Sequence, residues 1–440
     1  MIEYIKEFSK ELLQRIGEEK IHVVSHFDTD GITSAAIFSK TLERLGKQFS
    51  MKILKQLNEE EIKLFPKDKL IIILDLGSGS LDELSKLPNE IFIIDHHEIK
   101  KENIPPNLTI FNPHLRDLEN FCSAELTYLV SREISEENKN LAHLSILGMI
   151  GDVMEKDINK IRDQIIKESS VNIKKGLLIY PSTRPLDRTL EYSSRPFIPG
   201  VTGNSEGAYN LLLEAGIGRQ GKKFKSLIDL NEREMKDLTT GVMLRMSSKE
   251  VHEHVGNLYL IKLFNKIEDA REISAMINAC SRMGEPQIAL LFCLGNSIAR
   301  KKAERVHIKY RQQIISGLKF VENTDKIEGR EFILINAQDN IKDTIIGTIA
   351  SIISFSSTYP KGTIIIGMAN NGNYIKISSR VVGRKSDRNL KKLLESIVQT
   401  LGRGDYGGHK NAAGCTIHKE DEKKFIELIK KQLEFEMIKV

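Results

Sequence analysis

The stretch Ile21–Gly31, IHVVSHFDTDG, decides how this chain folds. Its first five residues, IHVVS, are mostly apolar and rich in β-branched side chains. They suit a short strand buried on both faces of a parallel sheet. The run then breaks into His26, Asp28 and Asp30, with Gly31 behind them. An apolar-periodic stretch, Ile32 to Leu45, follows and is closed by Gly46, which predicts a helix. Three further runs repeat the first: LIIIL (Leu70–Leu74), IFII (Ile91–Ile94) and LTIF (Leu108–Phe111). Strand, helix and strand in this spacing predict βαβ units and an α/β sheet.

The acids fall where the strands end. LIIIL runs into Asp75, and IFII into Asp95-His96-His97. In an open α/β sheet the functional groups gather at the carboxyl ends of the strands, so these side chains should meet in one crevice. Carboxylates within a few Å of one another repel, and a pair of divalent cations removes that cost. Mixed Asp and His ligands suit Mn²⁺, or Mg²⁺ with more difficulty because it prefers oxygen. Two such ions ~3.5–4 Å apart activate a water and stabilise both oxygens of a phosphoryl displacement. Taken singly, Asp30 or Asp75 could be an ordinary helix N-cap; three strand ends together call for more. The DxDG piece also resembles the start of a calcium loop, but the twelfth position from Asp28 is Ser39, where such a loop needs Glu.

The whole chain has 440 residues, enough for two or three domains at ~100–200 residues each. Its 65 Lys and Arg against 60 Asp and Glu leave a net charge of +5, which permits an acidic partner such as nucleic acid without demanding one. Cys122, Cys280, Cys293 and Cys415 form no CxxC pair and read as buried free thiols. Residues 1–20 are charged throughout, unlike a signal peptide, and no apolar run approaches ~18 residues. A cytoplasmic protein with no membrane contact is expected. From Glu155 to Phe320 strand signals fade, and stretches such as Ala208–Ala215 and Ile298–Phe320 predict helices. The Pro-rich Tyr180–Gly200 must be a loop or bend. A second α/β unit begins near Gly329, with strands at Glu331–Ala337, Thr363–Ala369 and Tyr374–Ser379, a helix at Asp343–Ser356 and an Asn-Gly turn at Asn370–Asn373. The expected layout is an α/β catalytic domain (1–155), a helical connector (156–325) and a smaller α/β domain (326–440).

HFDTDG, Asp75 and Asp95-His96-His97, in this order, resemble the DHH phosphoesterase superfamily. Gly151-Asp152 in LGMIGDV matches that family's fourth motif. Tyr406-Gly407-Gly408-His409-Lys410-Asn411-Ala412-Ala413-Gly414 resembles the Gly-rich loop of its DHHA1-type companion domain, with Tyr406 where the family usually has a third glycine. The resemblance spans nearly the whole chain. It implies a first metal held by His26, Asp28 and Asp75, and a second held by Asp30, Asp75, His96 and Asp152, with Asp75 bridging. It places His97 against the scissile phosphate or leaving group, with Asp95 orienting a neighbouring His. Arg380 matches a basic family position and would clamp a phosphate. Gly407, Gly408, His409 and Asn411 would cradle phosphate or ribose oxygens, while Tyr406 would either stack on a base or narrow the groove.

Basic residues surround that loop: Arg380, Arg384, Lys385, Arg388, Lys391, Lys392, Arg403 and Lys410. They predict a nucleic-acid channel. A second set, Arg300, Lys301, Lys302, Arg305, Lys309 and Arg311, reads as a solvated helix face. His252 and His254 lack partners at ligand spacing and read as surface residues. His22 reads as packed, and Ser123 as the cap of a helix over Ala124–Ile134. Arg195–Leu212 and Asp269–Gly284 look like the archaeal RecJ-like nucleases, the group that includes the GINS-associated nuclease and resembles Cdc45. This implies an exonuclease acting on single-stranded DNA, with RNA left open, in replication or repair. Two metal ions, Mn²⁺ before Mg²⁺, are its expected cofactors. Single-stranded nucleic acid and either GINS or a repair helicase are its expected partners. A phosphodiesterase for short oligoribonucleotides or cyclic dinucleotides, and a Cdc45-like scaffold with little catalysis, stand as alternatives.

Overall fold

We describe residues 1–99, 104–193, 196, 198–246, 254–355, 358–384 and 388–435 of the computed structural model. Arg195, His252 and Lys385 lie outside the described residues, as does the side chain of Arg384. By internal contacts the chain divides into two units. The first holds Met1–Thr189, Ala215–Met243 and Ser248–His307; the second holds Leu190–Glu214, Leu244–Ser247 and Ile308–Val440.

The first unit begins α1 (Ile2–Glu18), β1 (Ile21–His26), α2 (Thr29–Arg44), β2 (Phe49–Leu54), α3 (Glu59–Lys63), β3 (Leu70–Leu74), α4 (Leu81–Leu84), β4 (Ile91–Ile94) and β5 (Leu108–Phe111). The five strands are parallel, in the order β2-β1-β3-β4-β5. The four expected runs are β1, β3, β4 and β5. Their unbroken apolar character has a direct cause. Ile72, Leu74, Phe92 and Ile94 pack into one core with α1 and α2, while Ile71, Ile73, Ile91 and Ile93 pack into another with Ile62 and Leu84. β2 carries no such signal, because it is an edge strand in which Leu54 alone is fully buried. α1 hides its apolar face (Tyr4, Ile5, Phe8, Leu12 and Ile16) among charged residues at helical spacing. The chain leaves β1 for β2 on one side and returns to β3 on the other. The carboxyl ends of β1 and β3 therefore flank the switch point where ligands bind in such sheets.

Next come α5 (Ser123–Ile134), α6 (Ala142–Gly151), α7 (Lys160–Glu168), β6 (Asn172–Leu177), α8 (Leu186–Glu191), α9 (Ser205–Glu214), β7 (Arg219–Gln220), β8 (Lys223–Phe224) and α10 (Glu232–Arg245). β9 (Val255–Leu263), β10 (Lys266–Asp269), α11 (Ala270–Arg282), α12 (Pro286–Cys293) and α13 (Ser297–Asn323) follow. The stretch 156–325, expected as a helical connector, is mostly helical but holds strands as well. β6, β9 and β10 form an antiparallel sheet there, in the order β10-β9-β6. β6 (NIKKGL) is a lysine-bearing edge strand in which only Gly176 and Leu177 are buried. The LYLI of β9 is a short apolar run that periodicity cannot tell from a buried helix segment. Nor does the first unit end near 155, since α11 and α12 pack against α2 and α6. α8 sits inside the Pro-rich stretch expected to be loop. Residues of α13 up to His307 belong to the first unit and the rest to the second.

The second unit continues with β11 (Ile327–Gly329), β12 (Phe332–Asn336), α14 (Asp343–Phe355), β13 (Ile364–Asn371), β14 (Tyr374–Val381), α15 (Leu390–Leu401), β15 (Asp405–His409), β16 (Ala412–His418) and α16 (Glu422–Phe435). Its sheet runs β11-β12-β13-β14-β16-β15, with β12 and β13 parallel and the other neighbours antiparallel. Leu334, Ile366 and Ile377 pack with Leu394 and Ile397 of α15 and with Phe425 and Ile429 of α16. The Gly-rich stretch is a hairpin, β15 and β16, rather than a loop. All four cysteines are free; Cys122, Cys280 and Cys415 are buried and Cys293 partly so. Among the described residues no helix is long and apolar enough to cross a membrane.

Candidate metal centre

β1 delivers His26 to its carboxyl end, and the chain turns at once into α2. Asp28 is the N-cap: its carboxylate accepts the Gly31 N–H at 3.0 Å. Gly31 is required here, since a Cβ would lie 2.3 Å from the His26 carbonyl oxygen. Asp30 is therefore not the cap. Its two oxygens accept the N–H groups of Ser123 (2.7 Å) and Ala124 (2.8 Å), at the start of α5. The unpaired amides and positive end of a helix favour a carboxylate there.

Asp75 closes β3 with φ 58°, a left-handed conformation that Asp tolerates better than most residues. Its Oδ2 lies 3.2 Å from His26 Nδ1, which is also 3.2 Å from Asp28 Oδ2. Its Oδ1 accepts the Ser123 hydroxyl at 2.9 Å and faces His96 Nε2 at 3.6 Å and His97 Nδ1 at 4.0 Å. β4 ends in Asp95, which accepts N–H groups from Ser78 and His96 and lies 2.7 Å from His97 Nδ1. Asp152 follows α6 directly, with its Oδ2 3.1 Å from His96 Nε2. Two glycines let α6 come this close. A Cβ on Gly148 would lie 2.6 Å from Asp30 Oδ1, and one on Gly151 2.8 Å from Thr29 Cβ.

Three groups of ligand atoms result, each with its members within 4.8 Å of one another: His26, Asp28 and Asp75; Asp30, His96 and Asp152; and Asp75, His96 and His97. Burial and crowding of like charge raise the proton affinity of several of these groups. Burial, then the charges of Asp30 and Asp28, push the Asp75 carboxyl well above its usual range. Burial and the Asp152 charge push Asp30 up to about 7. Burial opposes charge on His96, but its hydrogen bond to Asp152 and the charges of Asp30 and Asp75 prevail and raise it to about 10. His26 is likewise raised against burial by Asp28, which is itself held below the carboxylate range by His26. The four carboxylates of Asp28, Asp30, Asp75 and Asp152 match the charge of two divalent ions. His96 also keeps Nδ1 buried without a hydrogen-bond partner. The donor set fits divalent metal ions.

Asn112 and Thr29 support the site and have no role in the expectations from sequence. Asn112 donates to the His97 carbonyl (2.9 Å) and to Ser78 Oγ (3.0 Å). It follows β5 directly, so the strand-end rule that picks out Asp75 and Asp95 points to it as well. Ser123, expected as a cap, stands one residue inside the helix, and Cys122 holds the cap position. Thr29 is tied to α11 by its hydroxyl on the Ser274 carbonyl (3.1 Å) and its N–H on Asn278 Oδ1 (3.2 Å). No local pattern reports that contact.

In the second unit, Arg380 lies on β14 opposite Ala412, with Nε on Ser351 Oγ (2.9 Å) and Nη1 on the Ser379 carbonyl (2.8 Å). Gly407, Gly408 and His409 are exposed on β15. Gly408 needs its φ of 123°, and a Cβ there would lie 2.5 Å from the Ala412 carbonyl oxygen. Asn411, in the turn, keeps Oδ1 buried without a partner. Tyr406 is tethered by its hydroxyl to Glu395 at 2.6 Å. Among the basic residues, Arg388 pairs with Glu331, and Arg403 with Glu420 and Asp421. Lys301, Lys302, Arg305, Lys309 and Arg311 are exposed as expected, but Arg300 is largely buried against Glu268 at 2.6 Å. His22 is packed, with Nδ1 2.8 Å from Ser50 Oγ.

Residues 20–149 match the DHH family, N-terminal domain, residues 179–258 the DHH-CID domain and residues 330–434 the DHHA1 domain. The DHH-CID match falls in the stretch expected to hold only a connector. An uncharacterized protein of Methanocaldococcus jannaschii is 28% identical over 98% of each chain. RecJ of Thermus thermophilus, solved in complex with Mn²⁺, matches the fold with a TM-score of 0.61 and 20% identity. That match covers 98% of this chain and 54% of the RecJ, so the chain spans about half the length of that relative. CDC45 from Entamoeba histolytica matches with a TM-score of 0.66 and 12% identity, over 97% of this chain and 98% of that one. The domains and their order agree with the fold: the chain carries DHH, DHH-CID and DHHA1 domains in succession and is RecJ-like.

Proposed function

We propose that this chain is a two-metal phosphodiesterase that shortens single-stranded nucleic acid, DNA in the first place, from an end. One observation carries the proposal: two of the three ligand groups share Asp75, whose Oδ2 faces His26 and whose Oδ1 faces His96. His26, Asp28 and Asp75 would hold the first ion; Asp30, Asp75, His96 and Asp152 would hold the second. Mn²⁺ suits this mixed nitrogen and oxygen set better than Mg²⁺. When bound, the ions would supply Lewis acidity toward water and toward the phosphoryl oxygens. His97, half exposed and steadied through Nδ1 by buried Asp95, is the residue free to meet the phosphate or leaving group through its other ring nitrogen. Arg380, Gly407, Gly408, His409 and Asn411 bind the strand, through a guanidinium and through amides that glycine leaves uncovered. The fold shared with the Mn²⁺-bound RecJ and with CDC45 supports nucleic acid as the substrate; replication or repair as the process, and GINS or a repair helicase as the partner, are part of the proposal.

The test is hydrolysis of end-labelled single-stranded DNA and RNA oligonucleotides of several lengths, with Mn²⁺, Mg²⁺ or chelator. Stepwise, metal-dependent shortening of long strands is expected, and the label position gives the polarity. Cleavage confined to the shortest oligonucleotides would replace the exonuclease with a small-substrate phosphodiesterase. No cleavage with any metal would leave a scaffold.

A further inference from the structure

The two oxygens of Asp75 have different neighbours. Oδ2 faces His26, whereas Oδ1 faces His96 and accepts the Ser123 hydroxyl at 2.9 Å. Ser123 is 0% and Asp75 1% exposed, so bulk water does not compete for that bond. A carboxylate turns in a broad torsional well about its last bond, and nothing in the rotamer itself would fix its plane. The hydroxyl does so, using one lone pair of Oδ1 and leaving the other directed elsewhere. The N–H of the same serine, with that of Ala124, holds both oxygens of Asp30. One residue thus touches a carboxylate from each ligand group. Its helix turn is clamped from behind. Glu125 accepts the Cys122 N–H at 3.0 Å and is gripped by Arg162 at 2.6 and 2.7 Å.

We propose that Ser123 is a positioning residue that orients the shared carboxylate of Asp75 and thereby sets occupancy of the second metal subsite, that of Asp30, His96 and Asp152. The proposal rests on the two-metal function above. Ser123 acts through Asp75 and touches no substrate. Without the hydroxyl, Asp75 still reaches the first subsite through Oδ2, and Asp30 keeps its two backbone donors. What is lost is the fixed direction of Oδ1. Removing such an outer partner weakens metal binding by about 10–100-fold.

The experiment is a titration of Mn²⁺ into the metal-free full chain, followed by calorimetry and by electron paramagnetic resonance for a magnetically coupled pair. Wild type takes up two ions and shows the coupled signal. Ser123→Ala binds the first ion as wild type does, which also reports that it folds. It binds the second about 10-fold or more weakly and loses the coupled signal at concentrations where wild type shows it. Ser145→Ala removes an equally buried hydroxyl, one that donates to the Ala142 carbonyl, and keeps both ions. Full second-site affinity with unchanged coupling in Ser123→Ala would overturn the role of Ser123. So would equal loss of both sites, which marks a general structural effect. A wild-type chain that never holds a manganese pair would overturn the two-metal function itself, and the role of Ser123 with it.

Discussion

Two sets of buried charge hang on the first turn of α5, and they are balanced in opposite ways. Behind the turn, Glu125 and Arg162 are 0% and 1% exposed and cancel each other within the chain. The guanidinium grips both carboxylate oxygens, reaches the Asn120 and Asp157 carbonyls and stacks over Phe121. In front of the turn, four aspartates meet His26 and His96, and the Asp30 carboxyl is driven up to about 7. A buried charge that finds its opposite inside the chain is architecture. Buried charge of one sign in excess asks for a counter-ion from outside, and such a place is where function is to be sought.

If that contrast holds, removing one charge from each set has opposite consequences. The largest effect is expected at Asp75. Asp75→Ala should cut Mn²⁺-dependent hydrolysis by more than the ~100-fold typical of an outer-shell partner, because it removes a ligand common to both ions. The metal-free variant should still fold, since one repelling carboxylate is gone. Full activity on labelled oligonucleotides would sink the site assignment.

Glu125→Ala should do the reverse, leaving every metal ligand in place and costing about 3–5 kcal/mol of stability in urea unfolding. A double replacement, Glu125→Leu with Arg162→Met, should recover most of that loss, because an apolar pair of similar volume replaces a satisfied ion pair at little cost. If the double variant is as unstable as the single, this pair is more than architecture.

The smallest effect is in the pH dependence. The Asp30 carboxyl stands at about 7, above its unfolded value of 3.8, and His96 at about 10, above 6.5. Both hold protons more tightly when folded. Their contribution to the stability of the metal-free chain is complete below the unfolded values. It fades as pH rises, through about 7 for Asp30 and about 10 for His96. Metal binding must displace those protons, so the rise in Tm on adding Mn²⁺ should be larger at pH 8 than at pH 6. Each tenfold gain in affinity is worth about 1.4 kcal/mol. An equal rise at both values would mean that the ions bind elsewhere.

What could be read from the chain tracks what is local. β1, β3, β4 and β5 announce themselves because a strand buried on both faces must be apolar at every position. His26, Asp28, Asp30, Asp75 and His96 stand out because polar groups break those runs at one end. Asp152 came from resemblance, since a single acid after an apolar helix carries no local mark. β6 and β9 were hidden: an edge strand needs few apolar residues, and a four-residue apolar run fits a helix as well as a strand. Arg162 illustrates the limit further, because an arginine in a charged helix gives no sign that it is among the most buried side chains of the molecule.

The sequence by itself determined that β1, β3, β4 and β5 would be strands and which polar groups would sit at the ends of β1, β3 and β4, since burial and chain direction are properties of short segments. Only the tertiary structure decided that β1 lies beside β3, so that His26 and Asp28 meet Asp75 across the switch point. It alone brought α6 against α2 through Gly148 and Gly151, and set the start of α5 under Asp30 and Asp75. These are contacts between segments far apart in the chain, fixed by packing and by the balance of buried charge.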